Sequence, residues 1–90
     1  MAKERNRHGE KQQIDILADK IWDALEIYLA EITDEPFEYR HYGLLFSETK
    51  AHFQRIGFAL EWHRDPSIDL KSYWTFTMPR NTARYLTDFR

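Results

Sequence analysis

The 90-residue chain contains no cysteine. That excludes disulfides, zinc–thiolate sites, iron–sulfur clusters and a cysteine nucleophile, and it suits a reducing compartment. Glycine is scarce. Gly9, Gly43 and Gly57 are too scattered to build a phosphate-cradling loop, so neither a P-loop nor a dinucleotide-binding turn is expected. Ser47, Ser67 and Ser72 sit in no nucleophile-elbow context. Long apolar runs are missing as well. No stretch approaches the roughly 18 apolar residues of a membrane span. No apolar segment follows the charged opening Met1-Ala2-Lys3-Glu4-Arg5, so no signal peptide is expected. A soluble, cytoplasmic protein without membrane contact is the expectation. Nor is there a strong excess of one charge. The net charge of −2 argues against a chain that binds nucleic acid mainly by neutralising phosphates.

What the chain does have is aromatic mass. Hydrophobic residues make up 42% and aromatics 16%, with three Trp, five Tyr and six Phe. Aromatic rings bury the most area per residue, so even a short chain can form a real core. One domain over residues 10–90 is expected, preceded by a polar arm over residues 1–9 that reads as flexible. Charge is uneven along the chain. Residues 1–49 hold six Lys/Arg against eleven Asp/Glu, and residues 50–90 hold seven against four. Either the halves neutralise each other in the fold or the basic half faces an anionic partner.

From Glu10 to Thr33 the apolar pattern is helical. Ile14, Leu17, Ala18, Ile21, Trp22, Ala24, Leu25, Tyr28, Leu29 and Ile32 fall on one arc, about 160° wide at about 100° per residue. An arc that broad predicts a helix packed on more than one side. Pro36 is its expected terminator. Phe37 to Tyr42 alternates and reads as a short edge strand or a loop. Ser47 is a candidate N-cap for a second helix ending at Ile56, with Thr49, Phe53 and Ile56 on its inner face. Gly57 stands where a C′ glycine belongs, which brings Phe58 against Phe53.

Two alternating runs follow, Phe58–His63 and Tyr73–Met78. They predict an antiparallel hairpin whose apolar face (Phe58, Leu60, Trp62, Trp74, Phe76 and Met78) lies directly on the first helix. Pro79 ends the second strand. Asn81 is a candidate cap for a last helix with Ala83, Leu86 and Phe89 inward. The class is α+β: a long N-terminal helix, a second short helix, an antiparallel β-hairpin and a short C-terminal helix.

Candidate chemistry is sparse. Glu38-Tyr39-Arg40-His41 has the Glu-x-x-His spacing of bundle metal sites, but it occurs once and outside any clear helix, so no metal site is expected. Glu61 and His63 share one face of a strand and could pair as acid and base. No nucleophile or oxyanion donor accompanies them, so no catalytic residue, cofactor or small-molecule ligand is inferred.

Two surface features stand out. On the first helix Asp15, Asp19, Asp23 and Glu26 cluster within about 80°. Like charges four residues apart destabilise a helix by about 0.2–0.5 kcal/mol per pair, which a solvated face tolerates and a docking face for a basic partner would use. Ile16 and Ile27 project about 200–220° from Ile14, away from the core arc. They predict a second contact, with the last helix or with another copy of the chain. Ile16, Asp19, Asp23, Glu26 and Ile27 are therefore the expected protein-binding surface of a non-enzymatic accessory or regulatory protein, working on a protein partner or as a homodimer. The alternative is a small nucleic-acid-binding domain of winged-helix-like character. It would use Lys50, Gln54, Arg55, Arg64, Lys71, Arg80 and Arg84, with Asp65 and Asp69 weakening the charge of the hairpin loop.

Overall fold

A computed structural model describes the backbone of residues 2–64 and 72–88 and the side chains of residues 12–64 and 72–87. Helix α1 spans Ala2–Ala30, so its backbone starts eight residues before the apolar pattern does. The segment expected as an arm continues the helix. Alanine, lysine, glutamate and arginine favour helix, and extending a nucleated helix is far easier than starting one. Leu17, Ile21 and Leu25 carry its buried stripe.

The C-terminus also departs from expectation. α1 stops at Ala30, well before Pro36. A tightened last turn closes it, with the Glu31 N–H donating to the Tyr28 carbonyl at 3.1 Å. Ile32 was expected on the apolar arc and is instead fully exposed, because the chain has already left the helix.

Strand β1 (Phe37–Tyr42) comes next, then helix α2 (Ser47–Ile56), strand β2 (Ala59–Arg64), strand β3 (Ser72–Met78) and helix α3 (Arg80–Asp88). The sheet order is β1-β3-β2, with both pairings antiparallel. The ambiguous 37–42 segment is therefore a strand, and it makes β3 the central one. Register places Tyr39 and Leu60 on either side of Phe76, and His41 and Trp62 on either side of Trp74.

Alternation along the strands leaves one face apolar and the other polar. The apolar face meets the helices. The core joins Leu17, Ile21 and Leu25 to Phe37, Leu45, Phe53, Phe58, Phe76, Met78 and Ala83. Phe53 stands edge-on to both Phe58 and Phe76, with ring centroids 5.8 and 5.3 Å apart. α1 packs chiefly on α2, α3 and β1, and α2 covers β2. The hairpin meets the first helix across this core, where Phe76 and Met78 of β3 join Ile21 and Leu25 of α1 in one cluster. Trp62, expected inward, is instead 52% exposed.

The ends of α2 show how local signals fared. Gly57 adopts φ +126°, and its N–H reaches the Phe53 and Gln54 carbonyls, while the Phe58 N–H donates to the Phe53 carbonyl. This is the glycine-terminated turn expected from the sequence. Ser47 is not the cap. Phe46 holds the capping position, with no side-chain cap of its own. α3 likewise starts one residue before Asn81: Arg80 opens it, and the Pro79 carbonyl accepts from the Ala83 N–H at 2.9 Å. Ala83 is buried and Leu86 half-buried as expected, whereas Phe89 lies outside the described residues.

Candidate functional site

The outer side of α1 is open to solvent over the described residues. Asp15, Ile16, Asp19, Lys20, Asp23, Glu26 and Ile27 are all exposed. Ile16 is 53% exposed and Ile27 66%. α3 packs on α1 elsewhere, through the turn that holds Ala83, and does not cover these isoleucines. Of the two contacts expected for Ile16 and Ile27, the intramolecular one is absent.

Two side chains from distant parts of the chain fix the ends of this face. Gln13 on α1 accepts from the Phe46 N–H at 2.9 Å and from the Thr49 hydroxyl at 2.7 Å, both through Oε1. Its Nε2 donates to the Leu44 carbonyl at 2.9 Å. One amide therefore caps α2 from another element and satisfies Thr49, which is buried. The His41 ring nitrogen Nε2 also lies 3.0 Å from the Leu44 carbonyl. Leu44, held this way through its backbone, leaves its side chain 71% exposed beside the N-terminal half of α1.

Arg80 fixes the other end. Its guanidinium donates to the Tyr28, Leu29 and Glu31 carbonyls at 3.4, 3.2 and 2.8 Å. It also stands 5.0 Å from the centre of the Tyr28 ring. A cation at a helix C-terminus meets the negative end of the helix dipole and the unpaired last carbonyls together. Tyr28 in turn donates its hydroxyl to the Glu35 carbonyl. Arg80, from the basic half of the chain, thus goes to the helix terminus and not to the acidic face of α1.

The remaining basic candidates are dispersed. Lys50 lies over the Trp74 ring, 4.9 Å from its centre. Gln54 and Arg55 are exposed on α2, and the Arg55 Nε donates to the Ala51 carbonyl of its own helix. Arg64 ends β2 opposite Ser72, whereas Arg80 follows the far end of β3. The seven residues of β3, six steps or about 20 Å, separate those ends. Arg84 is exposed on α3, and Lys71 lies outside the described residues. Only residues 43–46 connect β1 to α2, so the extra helix that a helix-turn-helix places there has no room.

The open sheet face carries Glu61 and His63, the pair considered as acid and base. His63 stacks on Tyr73 with centroids 5.1 Å apart, and its Nε2 lies 3.0 Å from the Thr75 hydroxyl and 4.0 Å from Glu61. The Arg40 guanidinium covers the other side of Tyr73 at 4.8 Å and bonds Glu38 at 3.2 Å. Its proton is held more tightly than usual, chiefly by side-chain hydrogen bonding to Tyr42 and Glu38. Burial raises the Tyr39 phenol on the opposite face. Glu38 and His41 point to opposite sides of β1, since they stand three positions apart along the strand, and so cannot converge on one ion. Among the described residues no three His, Cys, Asp or Glu side chains come together in a metal-binding group. None of the described helices is long and apolar enough to cross a membrane.

Comparison with known proteins adds no relative. No family model matches the chain, and no curated protein or solved structure is significantly similar to it. The site therefore rests on its own geometry.

Gln13, Leu44 and Trp62 were not singled out by sequence reasoning as surface or capping residues. The exposure of Leu44 follows from a turn at Gly43, where φ is +105°. No local pattern signals the role of Gln13, whose partners lie more than thirty positions away.

Proposed function

We propose that this protein is a small, non-enzymatic, cytoplasmic accessory or regulatory protein that acts by protein–protein contact. Its contact surface is the outer face of α1, formed by Ile16, Asp19, Asp23, Glu26 and Ile27. The observation that carries the reading is the exposure of Ile16 and Ile27, 53% and 66%, on a helix whose opposite side is packed by three other elements. A scattered exposed aliphatic residue is ordinary. Two isoleucines on one line, three helical turns apart (about 16 Å), form an anchor pair with a polar rim, which is the anatomy of a contact surface. The rim is acidic on one side, so it also sets which approaching surfaces are repelled.

A photo-crosslinking residue at position 27, compared with one at position 61 on the open sheet face, tests the reading in cells. Protein adducts from position 27 that disappear with Asp19→Lys/Asp23→Lys are expected. Equal adducts from both positions, or none from position 27, would remove α1 as the contact surface.

A further inference from the structure

We infer that the occupant of this face is a second copy of the chain, its α1 lying antiparallel to the first across a two-fold axis between residues 21 and 22. The inference rests on reading the outer face of α1 as the contact surface, and it adds the partner and the register.

The pattern along the exposed stripe is self-complementary. Ile16, Lys20, Asp23 and Ile27 follow spacings of four, three and four residues. They fall within about 60° of one another at about 100° per residue. That spacing is the seam of a paired helix, where antiparallel copies face each other in layers. A two-fold axis between 21 and 22 sets Ile16 against Ile27 of the partner subunit and Lys20 against Asp23 of the partner subunit. Each contact then occurs twice, as an isologous interface requires. A parallel arrangement would set Lys20 against its own copy and Asp23 against its own copy, a repulsive alternative at the centre of the seam.

The ends of the helix agree with this direction. Leu44 is held beside Gln13 near one end of the described face, and Ile32 follows the other end. Both are strongly exposed apolar residues, at 71% and full exposure. Antiparallel packing brings the Leu44 end of one copy beside the Ile32 end of the other. Ile16 and Ile27 of each copy thereby gain apolar neighbours in a single operation. Asp15, Asp19 and Glu26 lie to one side of the seam, at its wet rim, where charge is screened and contributes little. A single helix pair buries less than the roughly 1,200 Å² of a standard stable interface, so the dimer is weak and concentration-dependent.

The absence of cysteine makes the test direct, because any introduced thiol is unique. Sedimentation equilibrium from about 1 µM to about 1 mM should show monomer passing to dimer. K20D and D23K should each weaken association about tenfold, and the K20D/D23K double variant should restore it, because the exchanged charges still face each other. I16C mixed with I27C should cross-link under mild oxidation, whereas neither variant alone should do so. Self-linked I16C, an unrestored double variant, or a monomer at every concentration would overturn the two-fold pair. A monomer that still gives adducts from position 27 in cells leaves the contact surface standing with a different partner. A monomer without adducts removes both.

Discussion

A single amide joins three segments of this fold. Gln13 holds the Leu44 carbonyl, the Phe46 N–H and the Thr49 hydroxyl. Removing it strands two donors, one of them on a buried side chain. An unpaired buried donor costs about 1–3 kcal/mol, well above the net value of an ordinary hydrogen bond. Gln13→Ala should therefore destabilise the protein by about 2–3 kcal/mol in urea unfolding. Adding Thr49→Val, which removes the stranded hydroxyl at nearly constant shape, should cost less than the sum of the two single changes. Strict additivity would mean that the Oε1–Thr49 bond contributes nothing particular. The pattern of polar and apolar residues places Gln13 on the flank of α1. It carries no information about a partner that the fold alone delivers.

At the scale of elements, periodicity and glycine were the reliable signals. The apolar arc of α1, the inner face of α2, the Gly57 turn and the hairpin strands all follow from spacing within a few residues. The signals that failed were those decided by distant groups. Ser47 looked like the cap of α2, but Phe46 holds that position and its N–H is taken by Gln13 of α1. Pro36 looked like the end of α1, but the helix closes six residues earlier, where Arg80 gathers its last carbonyls. The strand character of 37–42 was undecidable locally because an edge strand is defined by the neighbour that pairs with it, here β3. The proposed contact face was legible in outline, since helical geometry alone separates Ile16 and Ile27 from the core stripe. Leu44 was not, because its exposure depends on where Gly43 turns the chain.

Arg80 makes the clearest test at this level. It reaches three carbonyls from a planar, forked group and also covers the Tyr28 ring. Lysine offers a point charge and cannot span that set. Arg80→Ala should lower stability by about 1–2 kcal/mol. Arg80→Lys should recover less than half of that, the part due to the dipole. Hydrogen exchange should quicken selectively at residues 28–31. Full recovery by lysine would reduce the interaction to a general charge effect.

Across the whole molecule, the disposition of the cations bears on what the surface can attract. Phosphate binding needs several basic side chains free to converge on one backbone. Here Arg80 is spent on α1, Lys50 on Trp74, and Arg40 on Tyr73 and Glu38. Arg64 ends β2 opposite Ser72, whereas Arg84 lies on α3, which follows the far end of β3. Among the described residues, the exposed face of α1 adds Asp15, Asp19, Asp23 and Glu26 against Lys20. A polyanion approaching the described residues from that side meets net negative charge, and one approaching them from the other sides meets dispersed cations. No retarded complex is expected with single- or double-stranded probes at micromolar protein in low salt, the condition that favours such binding most. A complex lost on Arg64→Ala or Arg84→Ala would instead show that these separated charges act on one ligand, and phosphate recognition would then displace protein contact as the better reading of this fold.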